Sequence, residues 1–194
     1  MNTEAAAREE FVIQRIRSGD RAAFEELVTM YRNRGLSIAY NLVGNLEDAK
    51  DALQDAFIKV YLYIEGFRGQ SKFSTWFHRI VVNASLDFLR KKKRAVSVLT
   101  ESLQDNIKEG DREISDNSLG PARIAGNQEL NRRLEDAIAG LSLKQRICFV
   151  LKHQNGLGVR EIAEILRCRR STVKVHLFRA AENLRRKMNV YLKE

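Results

Sequence analysis

Residues 67–94 combine aromatic rings, small polar side chains and cations in an order that suits single-stranded DNA. The stretch reads FRGQSKFSTWFHRIVVNASLDFLRKKKR and ends in five consecutive cations, Arg90 to Arg94. Aromatic faces stack on exposed bases, and cations hold phosphates. The composition therefore predicts a surface for single-stranded or opening DNA at a loop that leads into a helix.

A second pattern typical of DNA binding lies near the C-terminus. The segments VREIAEIL and STVKVHLFRAAENLRRKM have helical periodicity and are separated only by residues 167–170. Two helices with such a short turn predict a helix-turn-helix, in which Ala163 lets the paired helices approach closely. Cations lie on and just before the second helix, which would enter a major groove. An ordinary helical hairpin is the structural alternative.

The elements that must position the first surface have helical patterns. Asp20 and Asn45 are predicted N-caps, and Asp48 occupies the capping-box position after Asn45. Ser74 begins the helix that is predicted to run through Arg94. The helix after Asn45 has an apolar stripe at helical spacing, made of Leu46, Ala49, Leu53, Phe57, Val60, Tyr61 and Ile64. On the following helix the residues with core-like spacing are Trp76, Phe77, Ile80, Val81 and Phe88.

These patterns predict an all-α fold, with two helical domains joined by a flexible acidic linker. The predicted boundaries are 1–95 for the N-terminal domain, 96–126 for the linker and 127–194 for the C-terminal domain with the helix-turn-helix. The linker region is rich in Asp, Glu, Asn, Ser and Gly and contains the only proline, Pro121. Such a composition favours a tether over a packed element. In the C-terminal domain, Ser142 is a further predicted N-cap.

Charge is distributed unevenly along the chain. The net charge is +9, and residues 141–194 alone carry thirteen Lys or Arg against four Asp or Glu, whereas residues 99–140 have a net charge of −4. A basic C-terminal block indicates a polyanionic partner, most often nucleic acid, although a solvated cationic face would look the same. Without an apolar run of about 18 residues, we expect no membrane insertion. The two cysteines are too few for a disulfide framework, so we expect reduced thiols and a cytoplasmic location.

Five blocks in this order resemble the extracytoplasmic-function (group 4) sigma factors of bacterial RNA polymerase. They read GDRAAFEELVTMY, NLEDAKDALQDAFIKVY, FRGQSKFSTWFHRIVVNASLDFLRKKKR, LSLKQRICFVLK and REIAEIL–STVKVHLFRA. The resemblance implies a factor that directs core RNA polymerase to specific promoters and promotes DNA melting. It implies no enzymatic activity, since RNA synthesis belongs to the polymerase. The implied partners are the two largest subunits of core RNA polymerase, promoter DNA as duplex and as non-template single strand, and an anti-sigma factor.

The resemblance also assigns residues to three surfaces. Core-polymerase binding falls to Asp48, Asp51, Gln54 and Asp55, a polar face of one helix that suits a basic partner. The minus-ten element and its melted strand fall to Phe67, Lys72, Phe73, Arg79, Asn83, Asp87, Arg90, Lys91 and Lys92. Phe73 suits packing as well as base contact. The minus-thirty-five element falls to Arg169, Arg170, Ser171, Thr172, Lys174, His176, Phe178 and Arg179.

Two other classes of function compete with this interpretation. A stand-alone helix-turn-helix regulator would have a similar C-terminal domain, but it would leave the aromatic loop and the acidic helix face without a purpose. A metal-dependent enzyme on nucleic acid would need ligands around the carboxylates, yet no His lies near Asp48, Asp51 and Asp55 in sequence, and the His and Cys spacings match no zinc motif. We therefore expect no catalytic residues, no metal and no cofactor.

Overall fold

A computed structural model of the chain describes residues 3–102 and 128–191. Every regular element in these two ranges is helical, as predicted. The long helices are α1 (Thr3–Arg17), α2 (Arg21–Val43), α3 (Leu46–Tyr63), α4 (Phe73–Ser102), α5 (Gln128–Ala139), α6 (Leu143–Phe149), α7 (Val159–Leu166) and α8 (Arg170–Tyr191). A short 3-10 turn (Ile64–Gly66) follows α3, and a π-turn (Val150–Gln154) follows α6. We call α1–α4 the N-terminal lobe and α5–α8 the C-terminal lobe.

The predicted caps delimit the helices of the N-terminal lobe. The Asp20 carboxylate accepts hydrogen bonds from the backbone N–H groups of Ala22 and Ala23, at 2.9 and 3.2 Å. The side chain of Asn45 accepts from the backbone N–H of Asp48 at 2.8 Å. These bonds satisfy donors that have no partner within the helix. Between the caps, α2 ends at Gly44, whose φ of +94° is a conformation that glycine adopts without strain.

Aromatic side chains fill the space beneath α4. Phe73 and Phe77 are 2% and 0% exposed, and both rings contact Tyr31 of α2 with centroids 5.2 and 4.8 Å apart. Phe57 of α3 approaches Phe77 at 5.4 Å. Trp76 is partly buried against the same cluster. The core spacing predicted for this helix is therefore confirmed, and Phe73 belongs to the core.

Two predictions about this lobe differ from the structure. Helix α4 continues to Ser102 and does not end at Arg94, because residues 95–102 contain neither Gly nor Pro to stop it. Tyr61 was placed in the buried stripe of α3, yet it is 50% exposed and contacts the ring of Phe24 edge-on. Most of the predicted acidic linker falls on residues 103–127, which lie outside the described part of the chain.

The C-terminal lobe packs its helices around α8. A small cluster of Ala137, Ile138, Leu141, Ala180 and Leu184 joins α5 to α8. Ser142 stands at the N-cap position of α6, but its side chain makes no capping hydrogen bond. The predicted helix-turn-helix is α7 and α8, and Ala163 is buried where the two approach, as expected.

The turn between α7 and α8 contains an unusual backbone conformation. Arg167 has φ +50° and ψ +47°, and it is the only non-glycine residue with positive φ in the part of the chain that the structure describes. The backbone N–H of Cys168 donates to the carbonyl of Ala163 at 3.0 Å, which makes this a Schellman ending. The left-handed conformation brings Cβ of an L-residue close to the following carbonyl. The turn is therefore formed against a local steric cost.

We expect Arg167→Gly to raise the free energy of unfolding by about 1 kcal/mol, because glycine removes the Cβ clash at that φ. Urea denaturation of the full chain measures the change. Arg185→Gly, at an exposed position inside α8, is the matched control and should lower the free energy of unfolding by about 1 kcal/mol. Destabilisation by both variants would contradict the assigned strain.

Candidate nucleic-acid interface

The loop from Phe67 to Lys72 forms one side of a cleft. Gly69 has φ +68° and allows the loop to turn back towards α4. The cleft has a volume of about 400 Å³. The N-terminal lobe lines it with Gly66, Phe67, Arg68, Gln70, Ser71, Thr75, Trp76 and Arg79, and α7 lines the opposite side with Glu164 and Ile165. Ring edges, hydroxyls and guanidinium groups are thus gathered in one place, which suits a nucleotide.

The two loop aromatics predicted to meet bases have different surroundings. Phe67 is partly buried, and its ring centroid lies 5.5 Å from that of Phe73 and 5.3 Å from that of Trp76. Phe67 and Trp76 both line the cleft. Phe73 lies beneath them in the core, where both faces of its ring pack against protein. In this arrangement Phe67 and Trp76 are available at the cleft, and Phe73 supports them.

One face of α4 continues from the cleft along the helix. Trp76, Arg79, Asn83, Asp87 and Arg90 are three or four residues apart and so share that face. Asn83 and Arg90 are exposed, whereas Arg79 and Asp87 are half-buried. The Asp87 carboxylate lies 3.3 Å from Lys59 Nζ and 3.0 Å from the Arg90 guanidinium. Asp87 therefore orients the side chains of Lys59 and Arg90. The exposed amide of Asn83 lies along α4 between these cations and the cleft.

Two residues assigned to different surfaces are paired with each other. The ammonium of Lys92 lies 2.7 Å from the carboxylate of Asp48, which is only 19% exposed. Burial would raise the pKa of Asp48, but hydrogen bonds from Lys92 and Asn45 outweigh it and hold that pKa below its usual value. The pair ties α4 to the start of α3. Lys91 and Lys92 are both exposed, but Lys92 is engaged in this ion pair.

The remaining polar face of α3 continues into an apolar patch that sequence reasoning missed. Asp51, Gln54 and Asp55 are exposed, as expected for a contact surface. Ile58 and Leu62 follow on the same side of the helix and are 51% and 63% exposed. They line a second groove of about 520 Å³ with Tyr63, Lys59, Asp55 and the α4 residues Asp87, Arg90, Lys91 and Arg94. The sequence does contain a feature that predicts this patch: Ile58 and Leu62 are apolar but lie outside the stripe of α3 that is predicted to be buried.

The helix-turn-helix presents most of its predicted residues to solvent. Those that are exposed at the start of α8 and along it are Arg169, Arg170, Ser171, Thr172, Lys174, Phe178 and Arg179. His176 is half-buried, and its pKa is lowered by burial and by the nearby cations Lys144 and Arg179. Val175 is 46% exposed, and Phe178 is 65% exposed. The outward stripe of α8 thus has two apolar side chains among cations.

The two lobes contact each other at the cleft. Glu161 of α7 has one carboxylate oxygen 3.7 Å from Lys72 Nζ, and the Thr75 hydroxyl donates to the same oxygen at 3.4 Å. The side-chain amide of Gln154 donates a second hydrogen bond between the lobes, of 3.4 Å, to Asn41 of α2. A single apolar cluster includes residues of both lobes, from Phe77 and Val81 to Leu151 and Ile162. We call this the closed arrangement.

Neither a metal centre nor a membrane span emerges from residues 3–102 and 128–191. In these ranges, no three His, Cys, Asp or Glu side chains are grouped as a metal ion would require. None of the helices there is long and apolar enough to cross a membrane.

Models of two protein families match the chain. Sigma-70 region 2 matches residues 27–95, and sigma-70 region 4 matches residues 131–184. The first includes the cleft and the acidic face of α3, and the second includes the helix-turn-helix.

Curated relatives are similar over nearly the whole chain. The ECF RNA polymerase sigma factor SigW of Bacillus subtilis is 33% identical over 177 residues, which are 91% of this chain and 94% of SigW. The ECF RNA polymerase sigma-E factor of Escherichia coli K12 is 32% identical over 184 residues, 93% of this chain and 94% of that protein.

Two solved structures have a similar fold. The sigma factor RpoE of Bartonella quintana, in complex with the anti-sigma factor NepR, has a TM-score of 0.69 at 23% identity and covers 86% of this chain and 97% of its own. CnrH, in complex with the cytosolic domain of CnrY, has a TM-score of 0.66 at 21% identity and covers 94% and 98%. At these identities the likeness is one of fold.

We expect stability to fall as the pH drops from 6.5 towards 4, because His78 is 3% exposed and neither ring nitrogen has a hydrogen-bond partner among the residues that the structure describes. Burial, reinforced by Arg34 and opposed by Glu161, lowers the pKa of His78 from 6.5 to about 4. The unfolded chain therefore takes up the proton first. At about 1.4 kcal/mol for each pH unit, the loss approaches 3 kcal/mol.

Urea denaturation between pH 7.5 and 4 measures this loss, with His78→Gln as the comparison. Gln carries no titratable group, so the difference in unfolding free energy between the two proteins should change with pH below 6.5. Parallel pH profiles for both proteins would contradict the assignment to His78.

Proposed function

The chain belongs to the extracytoplasmic-function sigma factors of RNA polymerase, and from that premise we propose how its surfaces divide the work of promoter recognition. The observation that carries the proposal is the continuous face of α4, which leads from the loop cleft past Asn83 to the cations at Arg90 and Lys91. A melted strand needs stacking partners, a hydrogen-bonding amide and phosphate contacts along one line. This face offers them in that order.

The N-terminal side of the cleft, from Phe67 to Arg79, and this face of α4 receive the minus-ten element. Phe67 and Trp76 supply ring surface for a base that has left the duplex, while Lys72 and Arg79 hold its flanking phosphates. Stacking returns about 1–3 kcal/mol for each base, which offsets the few kcal/mol that unstacking costs. Asn83 reads a neighbouring base, because its amide both donates and accepts. Phe73 acts beneath these residues as packing.

Helix α8 enters the major groove at the minus-thirty-five element. Arg169, Arg170, Ser171 and Thr172 lie at its start, where side chains and backbone N–H groups meet phosphates. Lys174 and Arg179 flank the reading stripe and supply hydrogen-bond donors for base edges. Val175 and Phe178 suit the methyl groups of thymine. His176 is turned away from this stripe and contributes less to base contact.

The acidic face of α3 binds core RNA polymerase. Asp51, Gln54 and Asp55 are free for a basic partner surface, whereas Asp48 is already paired with Lys92. Ile58 and Leu62 extend the same side with apolar area, as expected at the centre of a protein interface. In the family the partner is the largest polymerase subunit. RNA synthesis itself is left to the polymerase, which acts with this chain in the cytoplasm.

An anti-sigma factor is a further proposed partner. Of the two similar folds, RpoE was solved with the anti-sigma factor NepR and CnrH with the cytosolic domain of CnrY. The exposed apolar side chains of α3 and α8 in this chain offer places for such a protein. The predicted domains 1–95 and 127–194, joined by the acidic tether 96–126, would let one partner hold both lobes.

A stand-alone regulator of duplex DNA is the competing function. It would use α8 in the same way but would have no need for Asp51, Asp55 or the cleft. Reconstituted transcription separates the two functions. Core polymerase plus this chain should start RNA at specific promoters, whereas core alone should not, and initiation that is indifferent to the chain would end the proposal.

We expect Asp51→Arg combined with Asp55→Arg to weaken binding to core polymerase about tenfold or more, because opposed like charges in an interface cost several kcal/mol. Fluorescence anisotropy of the labelled chain titrated with core polymerase gives the dissociation constant. Glu10→Arg with Glu25→Arg changes the net charge equally at exposed sites on α1 and α2 and should bind core normally. Equal affinity of both double variants would exclude α3 as the docking face.

Replacing thymine by uracil at single minus-thirty-five positions should weaken binding of the holoenzyme about fourfold where Val175 or Phe178 touches the methyl group. Burying one methyl contributes about 0.8 kcal/mol. Phe178→Ala should bind thymine and uracil promoters alike. Lys174→Ala should lose affinity on both, with a shallower salt dependence. The contact to thymine methyl groups would be refuted if the wild-type holoenzyme bound every uracil-substituted promoter with unchanged affinity while Lys174→Ala still lowered the affinity.

A further inference from the structure

We propose that the closed arrangement is an inhibited state of the free chain, in which the carboxylate of Glu161 takes the place of a DNA phosphate at the minus-ten cleft. The inference rests on the proposed use of that cleft for DNA. It adds a regulator that is part of the chain itself, carried by the first helix of the helix-turn-helix.

The contact has the chemistry of a phosphate site. A backbone phosphate is held by a cation together with a hydroxyl or N–H donor. Lys72 and Thr75 are such a pair, and both approach the same oxygen of Glu161, at 3.7 and 3.4 Å. Glu161 thus presents one negative charge to the donors that the minus-ten strand would use. Carboxylate and phosphate compete for them.

The position of Glu161 is held by its own helix. Its second carboxylate oxygen accepts a hydrogen bond from the backbone N–H of Gly158 at 2.8 Å, which closes the capping box of α7. One oxygen therefore anchors the side chain to the C-terminal lobe while the other reaches the N-terminal lobe. A side chain oriented in this way loses less conformational entropy when the lobes meet.

The wall formed by α7 also opposes DNA directly. Glu164 and Ile165 line the cleft across from Phe67, Arg68 and Trp76. A strand entering the cleft would bring its phosphates towards the carboxylates of Glu161 and Glu164. Like charges repel, and α7 occupies the side of the cleft opposite the loop. Closing of the lobes therefore excludes the strand by charge and by space.

The contact is weak enough to be reversed. The Lys72 and Glu161 side chains are 57% and 30% exposed, and an ion pair of that kind contributes about 0–1 kcal/mol. The 25 residues from 103 to 127 would span at most about 80 Å if fully extended, so separation of the lobes does not require the chain to unfold. Binding of core polymerase or of the strand can then favour the open arrangement by modest differences in affinity.

The first test uses a zero-length carbodiimide cross-link on the full chain. It joins an amine to a carboxylate only where they are in contact, so a Lys72–Glu161 amide should be found by mass spectrometry. Single-stranded DNA with the non-template minus-ten sequence of a promoter used by the holoenzyme should suppress this product severalfold. Absence of the product, or a yield indifferent to the strand, would overturn the proposal.

The second test measures binding of the same fluorescent strand to Glu161→Gln. Gln still accepts from Gly158 but carries no charge, so the variant should bind about three- to fivefold tighter than the wild type, the effect of an ion pair of up to about 1 kcal/mol. Glu182→Gln, an exposed carboxylate on α8, makes the same charge change and should bind the strand as the wild type does. Equal affinities of the two variants would overturn the inhibitory role.

The two tests separate this proposal from the proposed function. If the wild-type holoenzyme starts transcription at specific promoters while the wild-type chain gives no strand-sensitive Lys72–Glu161 cross-link, or Glu161→Gln leaves strand affinity unchanged, the inhibited state is rejected and promoter recognition stands. If no promoter responds to the wild-type chain, the function itself is wrong.

Discussion

The packing of α4 against α2 and α3 is the constraint on which the DNA-facing surfaces depend. The closest approach is at Gly35, where an added Cβ would lie 2.5 Å from Leu53 Cδ1 and 2.9 Å from Phe77 Cζ. A larger residue fits only if the side chains of Leu53 and Phe77 shift from their packed positions. Because Phe77 packs against Gly35, the side of α4 that carries Phe77 is buried in the core. The opposite side, with Asn83 and Arg90, must then point outward, and the loop before α4 must close over Phe73.

Charges in the N-terminal lobe fall into two groups with different roles. Asp48 with Lys92 and Asp87 with Lys59 link helices through ion pairs, and such pairs at partly exposed sites orient side chains more than they stabilise the fold. Asp51 and Asp55 form the second group, and both side chains are exposed on the surface of α3. A partner can engage the second group without breaking the first. This separation is what the proposed polymerase interface on α3 requires of a helix that also packs in the core.

In the closed arrangement the C-terminal lobe contacts one of the two surfaces that we propose for DNA and leaves the other exposed. Helix α7 supports α8 on one side and faces the cleft with Glu161 on the other. The apolar stripe of α8 remains exposed in the same arrangement. A strongly basic chain binds nucleic acid without sequence preference, because its Lys and Arg side chains neutralise backbone phosphates. In the inhibited state that we propose, pairing with Glu161 would withdraw Lys72 from such binding before polymerase is bound.

The sequence by itself determined the local structure: the caps at Asp20 and Asn45, the periodic core of α4 and the helix-turn-helix all depend on neighbours within a few residues. It also indicated the family, since five motifs in order are a long signature. Only the tertiary structure decided which polar or aromatic groups remain available. It paired Lys92 with Asp48, buried Phe73, exposed Ile58 and Phe178, and brought Glu161 to Lys72 across 89 positions of sequence. Periodicity shows that a residue lies on a face, but what covers that face is a long-range contact that no local pattern contains.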